Sequence, residues 1–183
     1  MALGNVLLVA LLHKEATGYE ITREFDSTLG HFWQASHQQV YRELGKLESE
    51  GLVAYRDIKQ EGRPDKKRYR LTANGRSALK AWLQEPPATR RVNDELLVKI
   101  LGGEIVGAAM LQDHIAAKRI EQEHRLELFQ GIEREYYKGS KLEDLSTEMR
   151  LLYLALRKGI FVAQAFVDWA REAESLLRRG RIV

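Results

Sequence analysis

Between Arg56 and Lys80 the chain carries nine cations, Arg56, Lys59, Arg63, Lys66, Lys67, Arg68, Arg70, Arg76 and Lys80, against three acids, Asp57, Glu61 and Asp65. That segment has a local net charge of +6 in a 183-residue protein whose total is +3, so the remaining residues sum to −3. Cations gathered on a short stretch suit phosphate groups, because each phosphate neutralised releases condensed counterions and adds a salt-dependent increment to binding. A solvated strand edge guarded against aggregation by charge would have the same composition. Upstream, Ser36, His37, Gln38, Gln39, Tyr41 and Arg42 offer hydroxyl, imidazole, amide and guanidinium groups, and no acid intervenes before Glu43. Such groups can read base edges, glutamine suiting adenine and arginine suiting guanine. Lys46, one turn further on, adds a cation for backbone or base.

Little else in the sequence could carry chemistry. With no cysteine there is no disulfide framework, thiol nucleophile or Cys-based zinc site. The five histidines, His13, His31, His37, His114 and His124, form neither His-x-x-x-His nor His-Glu-x-x-His. There is no Gly-x-Ser-x-Gly, and Gly102-Gly103 lacks the strand that a phosphate-cradling loop needs before it. No catalytic residue, metal or cofactor is therefore expected. The opening run Met1 to Leu12 lacks a basic leader and stops at His13-Lys14-Glu15, well short of the ~18 apolar residues a membrane span needs. It reads as a buried helix of a soluble, cytoplasmic protein, and 44% hydrophobic residues suffice for a packed core.

The elements that must position these groups follow from period and punctuation. Residues 3–14 are helical in length, Ala16-Thr17-Gly18 punctuates them, and Tyr19 to Leu29 forms a second amphipathic stretch closed by Gly30. Ser36 is an N-cap type, and Val40, Leu44 and Leu47 share one face of a third helix, 37–50, which ends at Gly51. The period then changes to that of two short strands, Leu52–Ile58 and Lys67–Thr72, around the turn-forming Gln60-Glu61-Gly62-Arg63-Pro64-Asp65. Thr72 caps a fourth helix, Ala73 to Gln84. Two helices joined by a short turn and followed by a basic hairpin have the order of a winged helix-turn-helix, whose second helix enters the major groove while the wing meets the backbone. That order favours the phosphate reading of the cations over the aggregation-guard reading.

Glu85-Pro86-Pro87 is the one Pro-rich point and the best domain boundary, giving a winged unit over 1–85 and a helical unit over 86–183. The latter reads as two long helices, 93–137 and 146–179, with Gly102-Gly103 interrupting the first. Met149, Leu152, Tyr153, Leu156, Ile160, Ala163, Phe166, Val167 and Ala170 line a wide apolar face of the last helix, and Leu111, Ile115, Gln122, Phe129 and Tyr136 a seam of the other. Two helices cannot bury such faces alone, so a second copy of the chain is the simplest cover. The fold class is thus mainly α with a small β-hairpin wing, a winged helix-turn-helix domain plus a helical dimerisation domain.

The stretch Phe32 to Val53, together with Gly18-Tyr19-Glu20-Ile21 and the wing Gly62-Arg63-Pro64-Asp65-Lys66-Lys67-Arg68-Tyr69 before Leu71-Thr72, resembles PadR-type transcriptional regulators. The resemblance covers residues 1 to about 84, and the helical remainder has the length of that family's dimerisation domain. It implies a homodimeric DNA-binding regulator, usually a repressor of a nearby gene, often released by small aromatic effectors such as phenolic acids. In such a reading Ser36, His37, Gln38, Gln39 and Tyr41 lie at the groove, Arg42 and Lys46 on backbone or base, and Arg63, Lys66, Lys67 and Arg68 on phosphates. Gly62 and Pro64 shape the wing tip, and Tyr69 packs. Phe32, Trp33, Tyr153, Phe161, Phe166 and Trp169 are aromatics that could line an effector cavity between the domains, and Arg119, His124 or Arg157 could pair with a ligand carboxylate, although aromatics at helical spacing are more often core. A helical scaffold that uses the winged fold for protein contacts is the alternative, and the +6 segment weighs against it.

Overall fold

The computed structural model describes residues 2–27, 33–59, 65–88 and 93–180. Its elements run α1 Ala2–Ala10, β1 Ala16–Thr17, α2 Gly18–Ser27, α3 His37–Ser49, β2 Val53–Ile58, β3 Lys66–Leu71, α4 Ala73–Gln84, α5 Glu95–Leu101, α6 Gly107–Tyr137 and α7 Thr147–Arg178, with single 3₁₀ turns at Gly103–Ile105 and Leu142–Asp144. The expected Gly30 cap, Phe32 and the wing tip from Gln60 to Pro64 lie outside the described residues. The chain divides into two compact units, Met1–Arg90 and Arg91–Val183.

In the first unit α1, α2, α3 and α4 enclose one core of Leu7, Leu8, Leu11, Ile21, Val40, Leu44, Leu47 and Leu79, closed on the sheet side by Val53 and Tyr69. Helix α1 is shorter than the 3–14 span its composition predicts. Leu11 still donates to the Leu7 carbonyl, but Leu12 donates three residues back to Val9, and this tightened last turn releases His13-Lys14-Glu15 to solvent. Ala16 and Thr17, which read only as punctuation, form an edge strand: the sheet order is β1-β3-β2, all antiparallel, with Ala16 opposite Tyr69 and Thr17 opposite Arg68. Thr17 is at the same time the cap of α2, its hydroxyl accepting from Glu20 N at 3.2 Å while the Glu20 carboxylate accepts from Thr17 N at 2.7 Å. Gly51 closes α3 at φ +71°, a left-handed conformation that glycine adopts without steric penalty.

The second unit is an antiparallel hairpin of α6 and α7 with α5 against one end. One cluster joins Leu126 and Phe129 to Leu156, Ile160 and Ala163, and another joins Leu111 and Ile115 to Ala170 and Leu177. The seam expected on α6 drifts off the interface: Leu111, Ile115 and Phe129 are buried, Gln122 is only partly covered and Tyr136 is exposed. A straight helix turns about 20° per heptad away from a strict 3.5-residue repeat. Residues spaced by eleven, Ile115, Leu126 and Tyr137, stay on the inner face instead. On α7 the expected face holds from Leu156 to Ala170, while Leu152 is exposed. Gly159 leaves room for the Phe129 ring, since a Cβ there would sit 2.6 Å from the ring edge.

Candidate nucleic-acid interface

Helix α3 starts on a complete capping box. The Ser36 hydroxyl accepts from Gln39 N at 3.3 Å and the Gln39 side-chain oxygen accepts from Ser36 N at 2.8 Å. These reciprocal bonds satisfy two of the donors that a helix start leaves open. With Val40, Leu44 and Leu47 buried, the opposite stripe Gln38, Tyr41, Arg42 and Gly45 faces out at helical spacing. A Cβ on Gly45 would meet nothing within 4 Å, so this stripe is an open surface. His37 is exposed at its start, and Lys46 at its end lies 3.9 Å from Glu50. The Tyr41 ring is half-exposed and leans on the first residue of α2. A Cβ on Gly18 would come within 2.4 Å of that ring, so the glycine sets how closely the two helices of the pair approach.

The wing presents its cations beside this stripe. The register of β2 and β3 places Arg56 opposite Arg68, Asp57 opposite Lys67 and Ile58 opposite Lys66. Like charges directly across a ladder repel, and the structure relieves Arg56 and Arg68 with carboxylates from outside the hairpin. Arg56 reaches Glu15 at 2.9 Å and Arg68 reaches Glu20 at 3.4 Å. Lys67 lies 3.6 Å above the centre of the Tyr55 ring and 3.4 Å from Glu48 near the end of α3. The Tyr55 side chain, and then Glu48, hold the Lys67 ammonium above the usual lysine range. Lys66 and Arg42 make no ion pair among the described residues. A cleft of about 590 Å³ opens between the start of α2, Tyr41 and the wing strand, bordered by Tyr19, Lys66, Lys67 and Tyr69. Tyr69 is buried and tilted against Tyr55 at 6.0 Å, and burial pushes its hydroxyl up.

The structure thus brings Ser36, His37, Gln38, Gln39, Tyr41, Arg42 and Lys46 together on α3 and sets Lys66, Lys67 and Arg68 beside them. Arg63 lies outside the described residues. Glu15, Glu20 and Glu48 are partners of the wing cations that sequence reading missed. They are distant in sequence from the cations they hold, and only the strand register shows which acid each cation meets.

The residues suggested for an effector do not converge. Within the helical unit the Tyr153 ring is tilted against Tyr137 at 4.9 Å and lines a groove of about 290 Å³ near the α6–α7 turn. Trp169 packs edge-on against Phe166 at 5.2 Å and lines an apolar groove of about 270 Å³ with Ile100, Leu111 and Ile115. His124 lies at a third groove, near Gln130 and Arg171. Arg119 is bound at 2.7 Å by both Glu123 and Glu174, and Arg157 at 2.9 Å by Glu133, so both arginines already tie α6 to α7. Trp33 belongs to the other unit and is partly exposed.

Residues 7–81 match the model of the transcriptional regulator PadR-like family, and residues 92–178 match the virulence activator alpha C-terminal model. The negative transcriptional regulator PadR of Bacillus subtilis is 30% identical over 88% of this chain and 90% of its own length. The chain belongs to the PadR-like family of transcriptional regulators. A probable transcriptional regulator of Mycobacterium tuberculosis is 34% identical over 99% of this chain and the whole of the relative. Among solved structures, the virulence activator AphA of Vibrio cholerae is 37% identical with a TM-score of 0.79, covering 97% of this chain and 98% of that one. Bacillus PadR in complex with operator DNA is 29% identical with a TM-score of 0.82, covering 97% and 99%. The same Bacillus protein has also been solved with p-coumaric acid, at 27% identity and a TM-score of 0.79 over 97% and 99% of the two chains. The winged, mainly helical architecture expected of this PadR-like chain is the one found. No helix among the described residues is long and apolar enough to cross a membrane.

Proposed function

We propose that this PadR-like chain is a homodimeric, sequence-specific DNA-binding repressor whose hold on its operator is relieved by a small aromatic ligand. The observation that carries the reading is the outward polar stripe of a firmly capped α3 beside the cationic strand of the wing. Ser36, His37, Gln38, Gln39 and Tyr41 are assigned to the major groove and Arg42 and Lys46 to base or backbone. Arg63, Lys66, Lys67 and Arg68 are assigned to phosphates, where contacts fix register without reading sequence. The operator complex of Bacillus PadR supports DNA as the partner. Its complex with p-coumaric acid supports an aromatic effector; of the candidates Trp33, Arg119, His124, Tyr153, Arg157 and Trp169, the contact is assigned to Trp169 and its apolar groove. The winged domain over 1–85 would bind DNA and the helical domain over 86–183 would hold the dimer.

Replacing Lys66 and Lys67 together by Ala is expected to weaken binding to operator and unrelated duplex alike. It should also flatten the dependence of log affinity on log salt by about one unit for each phosphate that is no longer neutralised. Titrations at several salt concentrations, using the region upstream of the chain's own gene, check this, and unchanged affinity sinks the wing assignment. Quenching of tryptophan fluorescence by phenolic acids, abolished in Trp169→Phe, tests the effector. A second reading, activation, is favoured by the match of residues 92–178 to a virulence-activator model and by the likeness to AphA. Deleting the gene raises transcription from the bound promoter if the chain represses and lowers it if the chain activates.

A further inference from the structure

Two of the wing cations assigned to phosphates are already held by carboxylates of the helix pair, Lys67 by Glu48 and Arg68 by Glu20. We infer that Glu20 and Glu48 act as an electrostatic brake on DNA binding, competing with phosphates for Arg68 and Lys67 and so keeping affinity for non-operator duplex low. The inference rests on the DNA-binding reading above and deepens it.

Three features support a competitor over a structural brace. Each pair is a single long contact of 3.4 Å between side chains that keep between 29% and 47% of their surface in solvent. Pairs so exposed contribute little, about 0–1 kcal/mol, and exchange readily against a polyanion. Next, the acids stay when the cations leave. The Glu20 carboxylate also accepts from Thr17 N at 2.7 Å and Thr17 Oγ1 at 3.0 Å, and Glu48 is fixed on α3 one turn beyond Leu44. The Thr17 backbone bond, with the Thr17 hydroxyl and Arg68 behind it, holds the Glu20 carboxyl below the usual range, so it remains an anion. Finally, both acids border the surface that carries Tyr41, Lys66 and the polar stripe of α3, where a duplex would bring phosphates. Exchange therefore leaves a fixed negative charge facing the backbone. Contacts from α3 to base edges exist only on the operator and offset that repulsion there. Without those contacts binding is almost wholly electrostatic, and the brake pushes it down towards negligible occupancy.

The test uses the full chain and a duplex of arbitrary sequence, with binding read by fluorescence anisotropy over a salt series. Glu20→Gln and Glu48→Gln are each expected to tighten binding several-fold and to steepen the salt slope by about one unit as a cation becomes available. Glu172→Gln in the helical unit carries the same change of net charge and should move neither. Adding Arg68→Gln to Glu20→Gln, or Lys67→Gln to Glu48→Gln, should abolish the gain, as the coupling of a pair requires. Binding that is unchanged, weakened, or raised no more than by Glu172→Gln overturns the brake while leaving the DNA-binding reading intact. A wild-type chain that binds neither this duplex nor its upstream region overturns both. A brace would be recognised by weaker operator binding and a lower melting temperature in the Glu→Gln variants.

Discussion

Gln39 shows how much one side chain can be asked to do. Its residue type pointed to adenine recognition, and its amide oxygen is found bonded to Ser36 N at 2.8 Å. The capping-box oxygen faces the helix start, leaving the amide NH₂ as the group for a base. Gln39→Glu separates the two roles, because a glutamate at the third helical position keeps the acceptor that closes the box. The variant should retain its melting temperature within about 1 °C and lose operator affinity by at least tenfold, ~1.4 kcal/mol, since a carboxylate replaces a donor beside phosphates and bases. Ser36→Ala should instead reduce stability by about 1 kcal/mol through removal of the cap. Equal loss of stability in both variants, seen by thermal denaturation, would leave Gln39 a cap and nothing more. At this scale the cap at Ser36 and the outward polar run after it were legible in the sequence, because they need only local chemistry to be read. The partners of Arg56, Lys67 and Arg68 were not legible, because each lies at least 19 positions away.

Between elements, the decisive contacts are made by glycines that admit a neighbour. Gly75 in the first turn of α4 lies so close to the residue before β2 that a Cβ would stand 2.0 Å from the Leu52 carbonyl oxygen. Thr72 fixes that junction, its hydroxyl donating to Gly51 O at 2.8 Å and its N–H to Leu52 O at 3.2 Å. Backbone cannot yield as a side chain can. In the helical unit, the atom that Gly159 would strike belongs to the Phe129 ring, which can be shortened by substitution. Gly159→Ala alone is expected to destabilise by about 1–3 kcal/mol through overpacking, and Phe129→Leu in the same chain should restore part of the loss, whereas no side-chain change should rescue Gly75→Ala. Melting curves of the four chains distinguish these cases; an unpenalised Gly75→Ala would refute the close approach of α4 to the Leu52 backbone. The long helices and the hairpin were legible in the sequence because amphipathic period and turn residues are local signals. The strand β1 was not, since two residues carry no period, and Ala16-Thr17 becomes a strand only because the edge of β3 is there to pair with it.

For the whole molecule, a net charge of +3 averages the +6 segment from Arg56 to Lys80, which includes strand β3, with a remainder of −3. The same kind of averaging hides the apolar surface. Helix α7 turns Leu156, Ile160, Ala163 and Val167 inward, yet on its opposite side Leu151, Leu154, Phe161 and Val162 are each more than 60% exposed. Around α5 and the turn after it, Leu101 and Ile105 are both 86% exposed, with Val98 at 68%. Single exposed leucines are ordinary, but apolar residues lined up on one helix face mark an interaction surface. On the reading proposed above that surface is covered by a second copy, which would also bring two α3 helices to one duplex. Two half-site contacts then act with a high effective concentration, and dissociation into monomers forfeits that gain. Light scattering on the full chain should therefore give twice the 21.0 kDa chain mass. Leu154→Glu with Phe161→Glu should shift the mass to that of the monomer and lower operator affinity at least a hundredfold, about 2.7 kcal/mol. The first unit has its own core of Leu7, Leu8, Ile21, Val40, Leu44 and Leu79, so the variant's winged unit should keep its protection from hydrogen exchange. A wild-type chain that remains monomeric at micromolar concentration would refute the second copy as the cover, and retained dimer mass in the double variant would move the interface away from this face of α7 to the apolar residues around α5.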